Sequence, residues 1–130
     1  MSFLTHRRSS RNEIGNAGVT LVVALLAGLA AAAQVPSTPE SRAAGQQLYM
    51  RHCASCHGRT AEGGPGNDLI PAAPSLVGDQ WDHGSTDKAI FDNIKNGVAP
   101  DFNMVPFKEK LTDDEIWSVV NYLRSIAKKK

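Results

Sequence analysis

The clearest hydrophobic pattern lies near the carboxyl-terminal end of the chain, where apolar residues recur at helical spacing from Ile116 to Ile126. Thr112 precedes this pattern, and Glu115 lies three residues after Thr112, which is the spacing of a capping box. Leu111 and Ile116 are placed as a hydrophobic staple across the same helix start. The sequence therefore predicts a helix that begins just after Thr112 and buries one apolar face.

Two further helices are predicted upstream. Thr38 is a suitable N-cap for a helix whose first residue is Pro39, because proline is tolerated at the first helical position. We expect this helix to run to about His52. A shorter apolar pattern over residues 87–96 predicts another helix, and Gly97 is well placed to end it.

Long loops separate the predicted helices. Residues 58–84 are rich in Gly, Pro, Asn, Asp and Ser, and residues 98–110 contain two prolines. No stretch of the chain alternates between apolar and polar residues as a half-buried strand would. The expected fold is therefore all-α, with about three main helices and long loops. A loop as long as 58–84 in a small domain is usually functional or wrapped around something.

The amino-terminal region has the pattern of an export signal. Residues 1–17 are polar and carry three arginines, and an apolar run follows from Val19 to Ala33, ending in Ala31-Ala32-Ala33. A basic segment, a short apolar segment and a small-residue cleavage site are typical of a secretory signal peptide. We predict a cleaved signal peptide over residues 1–33. An uncleaved membrane anchor formed by residues 18–33 is the alternative.

The rest of the chain divides into a linker, residues 34–39, and one domain, residues 40–130. Overall hydrophobic content is 42%, charged content is 21%, and the net charge of the whole chain is +1. The predicted signal peptide takes three basic residues and one acidic residue with it, so the remaining chain has a net charge of −1. Such a balance gives no strong field for polyanions, and nucleic acid is not an expected partner.

The main chemical motif is Cys53-Ala54-Ser55-Cys56-His57. Cys-x-x-Cys-His is the attachment signature of c-type haem. Two thiols one turn apart can each add to a vinyl group on the porphyrin edge, and the next residue brings an imidazole to the iron. A thioredoxin-like dithiol would follow a strand in a βα unit, and a structural zinc site wants four ligands. The sequence predicts one covalently attached haem, with Cys53, Cys56 and His57 as attachment and ligand residues.

A second axial ligand is needed for six-coordinate iron, and two residues are candidates. Met104 lies in a proline-containing loop 47 residues after His57, which is enough chain to pass around the haem and return. A thioether is a soft neutral ligand that raises the reduction potential. His83 is the competing candidate, and a gap-filling methionine is the alternative for Met104. We expect His57 and Met104 to bind the iron.

These features together resemble a class I cytochrome c of the bacterial monohaem type, over residues 40–127. Ala73-Pro74-Ser75-Leu76 resembles the family's Gly-Pro-x-Leu turn, which implies that the Pro74 carbonyl receives the Nδ1 hydrogen of His57. Asn103-Met104-Val105-Pro106-Phe107 resembles its methionine-ligand loop. In the family the first and last helices cross, so Gly45 would admit the crossing, with Tyr49 and Tyr122 nearby. Ordinary boundary aromatics are the alternative for the two tyrosines.

The resemblance implies a one-electron carrier rather than an enzyme, working in the periplasm or otherwise outside the cytoplasm. The expected partners are redox proteins such as a dehydrogenase, an oxidase or a cytochrome complex, which dock transiently. A dedicated haem-bearing subunit of a dehydrogenase or oxidase complex is the alternative. An enzymatic function would need Met104 off the iron and an acid–base group such as His83 beside it. Membrane contact is expected only if the amino-terminal segment stays uncleaved.

Overall fold

The computed structural model describes residues 33–64, 72–78 and 80–128. Within these ranges the chain forms helices and loops, and its β structure is limited to an isolated bridge between Gly64 and Ala73. The helices are α1 (Pro39–His52), α2 (Ala54–His57), α3 (Asp87–Asn96) and α4 (Asp113–Ile126). The all-α prediction is confirmed, and the short α2 is an addition to it. The predicted signal peptide lies, apart from Ala33, outside the described residues.

Both long helices begin where their capping residues predict. The Thr38 hydroxyl accepts a hydrogen bond from the Ser41 amide at 3.1 Å, and the Ser41 hydroxyl receives one from the Thr38 amide at 3.0 Å. At the start of α4 the Thr112 amide donates to the Glu115 carboxylate at 2.8 Å, completing the predicted capping box. These bonds satisfy amide groups that have no partner inside the helix.

Helices α1 and α4 cross in close contact at Gly45. A Cβ atom on Gly45 would lie 1.9 Å from the Ser118 carbonyl oxygen, so no other residue fits without moving a helix. The rings of Tyr49 and Tyr122 lie beside this contact, with centroids 5.4 Å apart. Both tyrosines are buried, Tyr49 completely, so they belong to the core and not to its boundary. The expected helix crossing is confirmed.

The apolar face of α4 forms the centre of the core. Ile116, Val119 and Val120 are almost fully buried, as the helical spacing predicts. Helix α3 packs against the same helix, where the Phe91 and Trp117 rings stack with centroids 4.5 Å apart.

The segment expected to be a linker lies against the domain. The buried amide of Asn121 on α4 donates to the carbonyl oxygens of Val35 at 3.0 Å and Pro36 at 3.2 Å. The Val35 side chain is partly buried against the core. Residues 34–38 thus contact the helices, and residue 39 belongs to α1. In the described ranges, no helix has the length and apolar character needed to cross a membrane.

Candidate cofactor site

An open cavity of about 620 Å³ lies between the loops and the helices, and all four residues predicted to bind the cofactor line it. They are Cys53, Cys56, His57 and Met104. Much of the remaining wall is apolar, with contributions from Ile90, Ile94, Phe107 and Leu123. A pocket of this size, mostly apolar with a few converging polar groups, is typical of a cofactor site.

The two cysteines and the histidine occupy one helical turn. The amides of Cys56 and His57 both donate to the Cys53 carbonyl, at 3.1 Å and 2.9 Å, and this turn carries the chain from α1 into α2. No disulfide joins the two cysteines. The backbone therefore presents two free thiols and one imidazole to the same cavity.

The environment of these thiols argues against the other two kinds of site. Burial, followed by the neighbouring Cys56, raises the pKa of the Cys53 thiol to about 12. A redox-active dithiol needs a cysteine with a lowered pKa, because the thiolate is the reactive form. Among the described residues, no group of three or more His, Cys, Asp or Glu side chains is arranged to hold a metal ion. The raised pKa of Cys53 and the lack of further ligands among the described residues therefore do not favour Cys53 as a reactive thiolate or a structural zinc site.

His57 is held in a defined orientation and tautomer. Its ring is buried, and Nδ1 lies 3.1 Å from the Pro74 carbonyl oxygen. Because a carbonyl only accepts hydrogen bonds, Nδ1 carries the proton and Nε2 keeps its lone pair. Burial lowers the pKa of His57, and the bond to Pro74 opposes this with a smaller rise. A neutral imidazole fixed through Nδ1 is the form that binds a metal ion.

The Pro74 turn is held in place by the loop that follows His57. The Gly63 amide donates to the His57 carbonyl at 3.0 Å, and the Leu76 amide donates to the Ala61 carbonyl at 2.7 Å. A Cβ on Gly63 would lie 2.8 Å from the Pro74 carbonyl carbon, so glycine is required for this approach. Sequence reasoning missed Gly63, and the adjacent glycine pair in a long loop was the available signal.

Tyr49 ties the attachment turn to α1. Its hydroxyl donates to the Gly58 carbonyl at 2.7 Å, directly after the histidine. Burial is the main cause of the raised pKa of Tyr49, with smaller contributions from Cys53 and Tyr122. The tyrosine therefore stays neutral and acts as a fixed hydrogen-bond donor. Sequence reasoning placed Tyr49 near the helix crossing but did not find this bond.

The loop that carries Met104 is hydrogen-bonded to the end of α3 and to Val98, which follows that helix. The Val98 amide donates to the Met104 carbonyl at 3.0 Å, and the Phe107 amide donates to the Ile94 carbonyl at 3.0 Å. Gly97 ends α3 with φ +74°, and a Cβ there would lie 2.7 Å from the Met104 oxygen. These contacts place Met104, half-buried against the core, at the cavity.

The competing ligand candidate, His83, also lines the cavity. It is exposed, and its main-chain carbonyl accepts a hydrogen bond from the side-chain amide of Asn93 at 3.0 Å. Met104 is partly buried against the core, whereas His83 is exposed. A permanent ligand needs a fixed position, and the partial burial of Met104 favours it over His83.

Comparison with known proteins identifies relatives of the whole domain. The family model described as "Cytochrome C oxidase, cbb3-type, subunit III" matches residues 40–123. The chain is 31% identical over 90 residues to the cbb3-type cytochrome c oxidase subunit CcoP of Rubrivivax gelatinosus, covering 68% of this chain and 27% of that protein. It is 29% identical over 121 residues to a nitrite reductase of Stutzerimonas stutzeri, covering 85% of this chain and 22% of that protein.

A solved structure with the same fold is cytochrome cL from Methylophaga aminisulfidivorans. The two chains are 31% identical, and they superpose with a TM-score of 0.57 over 68% of this chain and 55% of that one. The chain spans about a quarter of the length of the curated relatives that it matches. The likeness therefore concerns one domain of larger proteins.

Proposed function

Since the chain belongs to the family of cbb3-type cytochrome c oxidase subunit III, a family of c-type cytochrome domains, we propose that it carries one covalent haem and transfers single electrons between redox proteins outside the cytoplasm. The haem, when bound, supplies an iron that gains or loses one electron without bond making at a substrate. The observation that carries the proposal is the oriented His57 on one turn with two free thiols, at an apolar cavity that Met104 also lines.

Cys53 and Cys56 hold the cofactor in this proposal. Each thiol would supply the sulfur of one thioether link to a vinyl group of the haem, with its S–H added across the vinyl double bond. The Cys56 and His57 amides bonded to the Cys53 carbonyl keep the two sulfurs and the imidazole in register for this attachment. Covalent attachment suits an exported protein, because a dissociable cofactor would be lost.

His57 and Met104 are the proposed axial ligands. Pro74 keeps Nδ1 of His57 protonated and leaves Nε2 free for iron. Hydrogen bonds to Val98 and to Ile94 fix the backbone at Met104 and at Phe107, so less of the loop has to be ordered when the thioether binds. With both residues on the iron, no position would remain for a substrate, which supports an electron carrier and argues against an enzyme.

A haem-bearing subunit of an oxidase complex is the second candidate. Several relatives are named as cbb3-type oxidase subunits, which supports this reading. The chemistry at the iron is the same in both cases, and only the lifetime of the contact with the partner differs. A free carrier stays in the soluble exported fraction, whereas a subunit co-purifies with an oxidase from native membranes in mild detergent.

The proposed ligand set is tested by replacing Met104 with alanine in the haem-loaded protein. We expect the near-infrared charge-transfer band of the oxidised protein to disappear and the reduced protein to bind carbon monoxide. The reduction potential should fall by roughly 0.1–0.3 V, within the ~0.8 V range that axial ligands span.

Met50→Ala is the matched control, since Met50 is a partly buried methionine that does not line the cavity. This variant should keep the wild-type spectrum and potential. A Met104→Ala protein that is spectroscopically the same as wild type would show that Met104 is not the ligand. The intact mass of the exported protein tests haem attachment and removal of the predicted signal peptide together.

A further inference from the structure

We propose that the rim patch, defined as residues 99–105 together with Asp82, is a docking surface for a redox protein that presents lysine or arginine side chains around an apolar centre. The inference rests on the proposed electron-transfer function and adds the chemistry of the partner. Four residues of the rim patch, Asp82, Pro100, Asp101 and Val105, line the cavity directly. Phe102 does not line it.

The apolar part of the rim patch consists of Phe102 and Val105. They are the exposed large hydrophobic residues of the described part of the chain, and each is 46% exposed. Single exposed apolar side chains are common on protein surfaces and need no explanation. These two lie on either side of Met104 in one loop at the cavity. Their position places an apolar contact where an electron would enter or leave.

The backbone at Phe102 supports a functional role for its exposure. Phe102 has φ +49°, in the left-handed region that disfavours bulky side chains. Its amide donates to the Val98 carbonyl at 3.0 Å, which closes a tight turn that glycine or asparagine would form at lower cost. Strained residues that persist on a surface cluster at functional sites. An aromatic ring is therefore displayed here against the local backbone preference.

The charged part of the rim patch is acidic. Asp82 and Asp101 line the cavity and are exposed, whereas no lysine or arginine of the described residues lines it. Neither aspartate takes part in an ion pair within the described residues. The four ion pairs found there involve other acidic groups: Asp92, Asp113, Asp87 and Glu62. The described aspartate, glutamate, lysine and arginine side chains that line the cavity are therefore all acidic, although the net charge of residues 34–130 is only −1.

An acidic, apolar surface of this kind selects a basic partner. Opposite charges steer the encounter and fix orientation, while a small apolar centre gives a contact that dissociates quickly. A partner ringed by carboxylates would be repelled at the same place. A second copy of this chain carries the same acidic rim and would be repelled as well.

The charge of the rim patch is tested with two inorganic oxidants of opposite charge. Haem-loaded, reduced protein is mixed with hexaammineruthenium(III), a cation, or with ferricyanide, an anion, over a series of salt concentrations. The rate with the cation should fall as salt rises. At low salt, the double variant Asp82→Asn/Asp101→Asn should lower the rate of electron transfer to the cation by about ten-fold and raise the rate to the anion. The reason is that two negative charges at the cavity are removed.

A matched control removes two exposed carboxylates that lie away from the cavity, in Glu109→Gln/Asp114→Asn. This control should change both rates much less than the rim variant. Equal effects of the two double variants, or a cation rate that rises with salt, would overturn the acidic-rim assignment. Failure of the protein to take up haem, or of its iron to exchange electrons with either oxidant, would instead overturn the proposed function.

The apolar part is tested with a protein probe, a c-type cytochrome whose own haem edge is surrounded by lysines. When the probe is added to the ¹⁵N-labelled protein, the changes in backbone amide chemical shift should concentrate on residues 99–105. Phe102→Ala should weaken binding of the probe at least several-fold. The same variant should leave the hexaammineruthenium(III) rate close to wild type, since that ion makes no apolar contact. Shifts centred elsewhere, binding unaffected by Phe102→Ala, or self-association of the protein through residues 99–105 in sedimentation would refute the proposal.

Discussion

The contact between α1 and α4 predicts that Gly45→Ala destabilises the protein, which is the opposite of the usual effect of this substitution in a helix. Replacing glycine by alanine inside an exposed helix stabilises a protein by about 1 kcal/mol, because alanine has the higher helix propensity. At position 45 the new Cβ would lie 1.9 Å from the Ser118 carbonyl oxygen and 3.0 Å from the Tyr122 Cβ. The obstructing oxygen belongs to a helix backbone, which cannot rotate away.

The magnitude follows from how far the helices must separate. Cβ atoms essentially never approach another heavy atom within 3.0 Å, so α1 and α4 have to move apart by at least about 1 Å. A gap of that size forfeits about a quarter to a half of the dispersion energy across the interface, where Tyr49 and Tyr122 pack. Overpacking costs roughly 1–3 kcal/mol or more, and a rigid neighbour places this case at the upper end. After the propensity gain, we expect a net destabilisation of about 2 kcal/mol.

The assay is thermal and urea unfolding of the haem-loaded protein, followed by helical circular dichroism and by haem absorbance. For a domain of this size, about 2 kcal/mol lowers Tm by roughly 8–16 °C. Gln46→Ala is the control, because Gln46 is the exposed neighbour of Gly45 on the same helix and should change stability little. A Gly45→Ala protein as stable as wild type would refute the argument that the crossing requires glycine.

Two further predictions concern the methionine loop and the start of α4. Gly97→Ala should strain the backbone by about 1–3 kcal/mol and displace Met104, which lowers the reduction potential and weakens the near-infrared band. Gly78→Ala is the control, because its Cβ would make only an ordinary contact at 3.7 Å and should leave both properties unchanged. Identical spectra for wild type and Gly97→Ala would contradict this. Glu115 has its pKa held below 4.5, chiefly by the Thr112 amide, so its contribution to stability is present at neutral pH and is lost as pH falls through the lowered pKa. Urea unfolding of Glu115→Gln should therefore show lower stability near neutral pH and a weaker loss of stability on acidification, and equal pH profiles would count against the cap.

The helices and the attachment motif could be predicted because their determinants are local. A capping box involves residues three positions apart, and the residues of the apolar face of α4 recur about once per helical turn. The attachment motif occupies five consecutive residues, and the geometry of one helical turn brings its two sulfurs and one imidazole to the same side. Such features depend on bond geometry and neighbouring hydrogen bonds, which are the same wherever the segment lies.

Other features required the fold, because they join segments that are distant in the chain. Asn121 binds carbonyls of residues 35 and 36, which converts an expected linker into a packed segment. Gly63 approaches Pro74, and Gly97 approaches Met104, through contacts that no local spacing records.

The amino-acid sequence alone determined the all-α class, the boundaries of the three main helices and the pattern that belongs to a c-type cytochrome domain. Only the tertiary structure decided which residues around the cavity are exposed, and that Phe102 lies outside the core. It also decided that, among the described residues, Asp82 and Asp101 line the cavity and no lysine or arginine does. The physical reason is the distance along the chain between the residues that determine each property. Helix formation is set within a few residues, whereas burial and electrostatic potential depend on every segment that packs nearby.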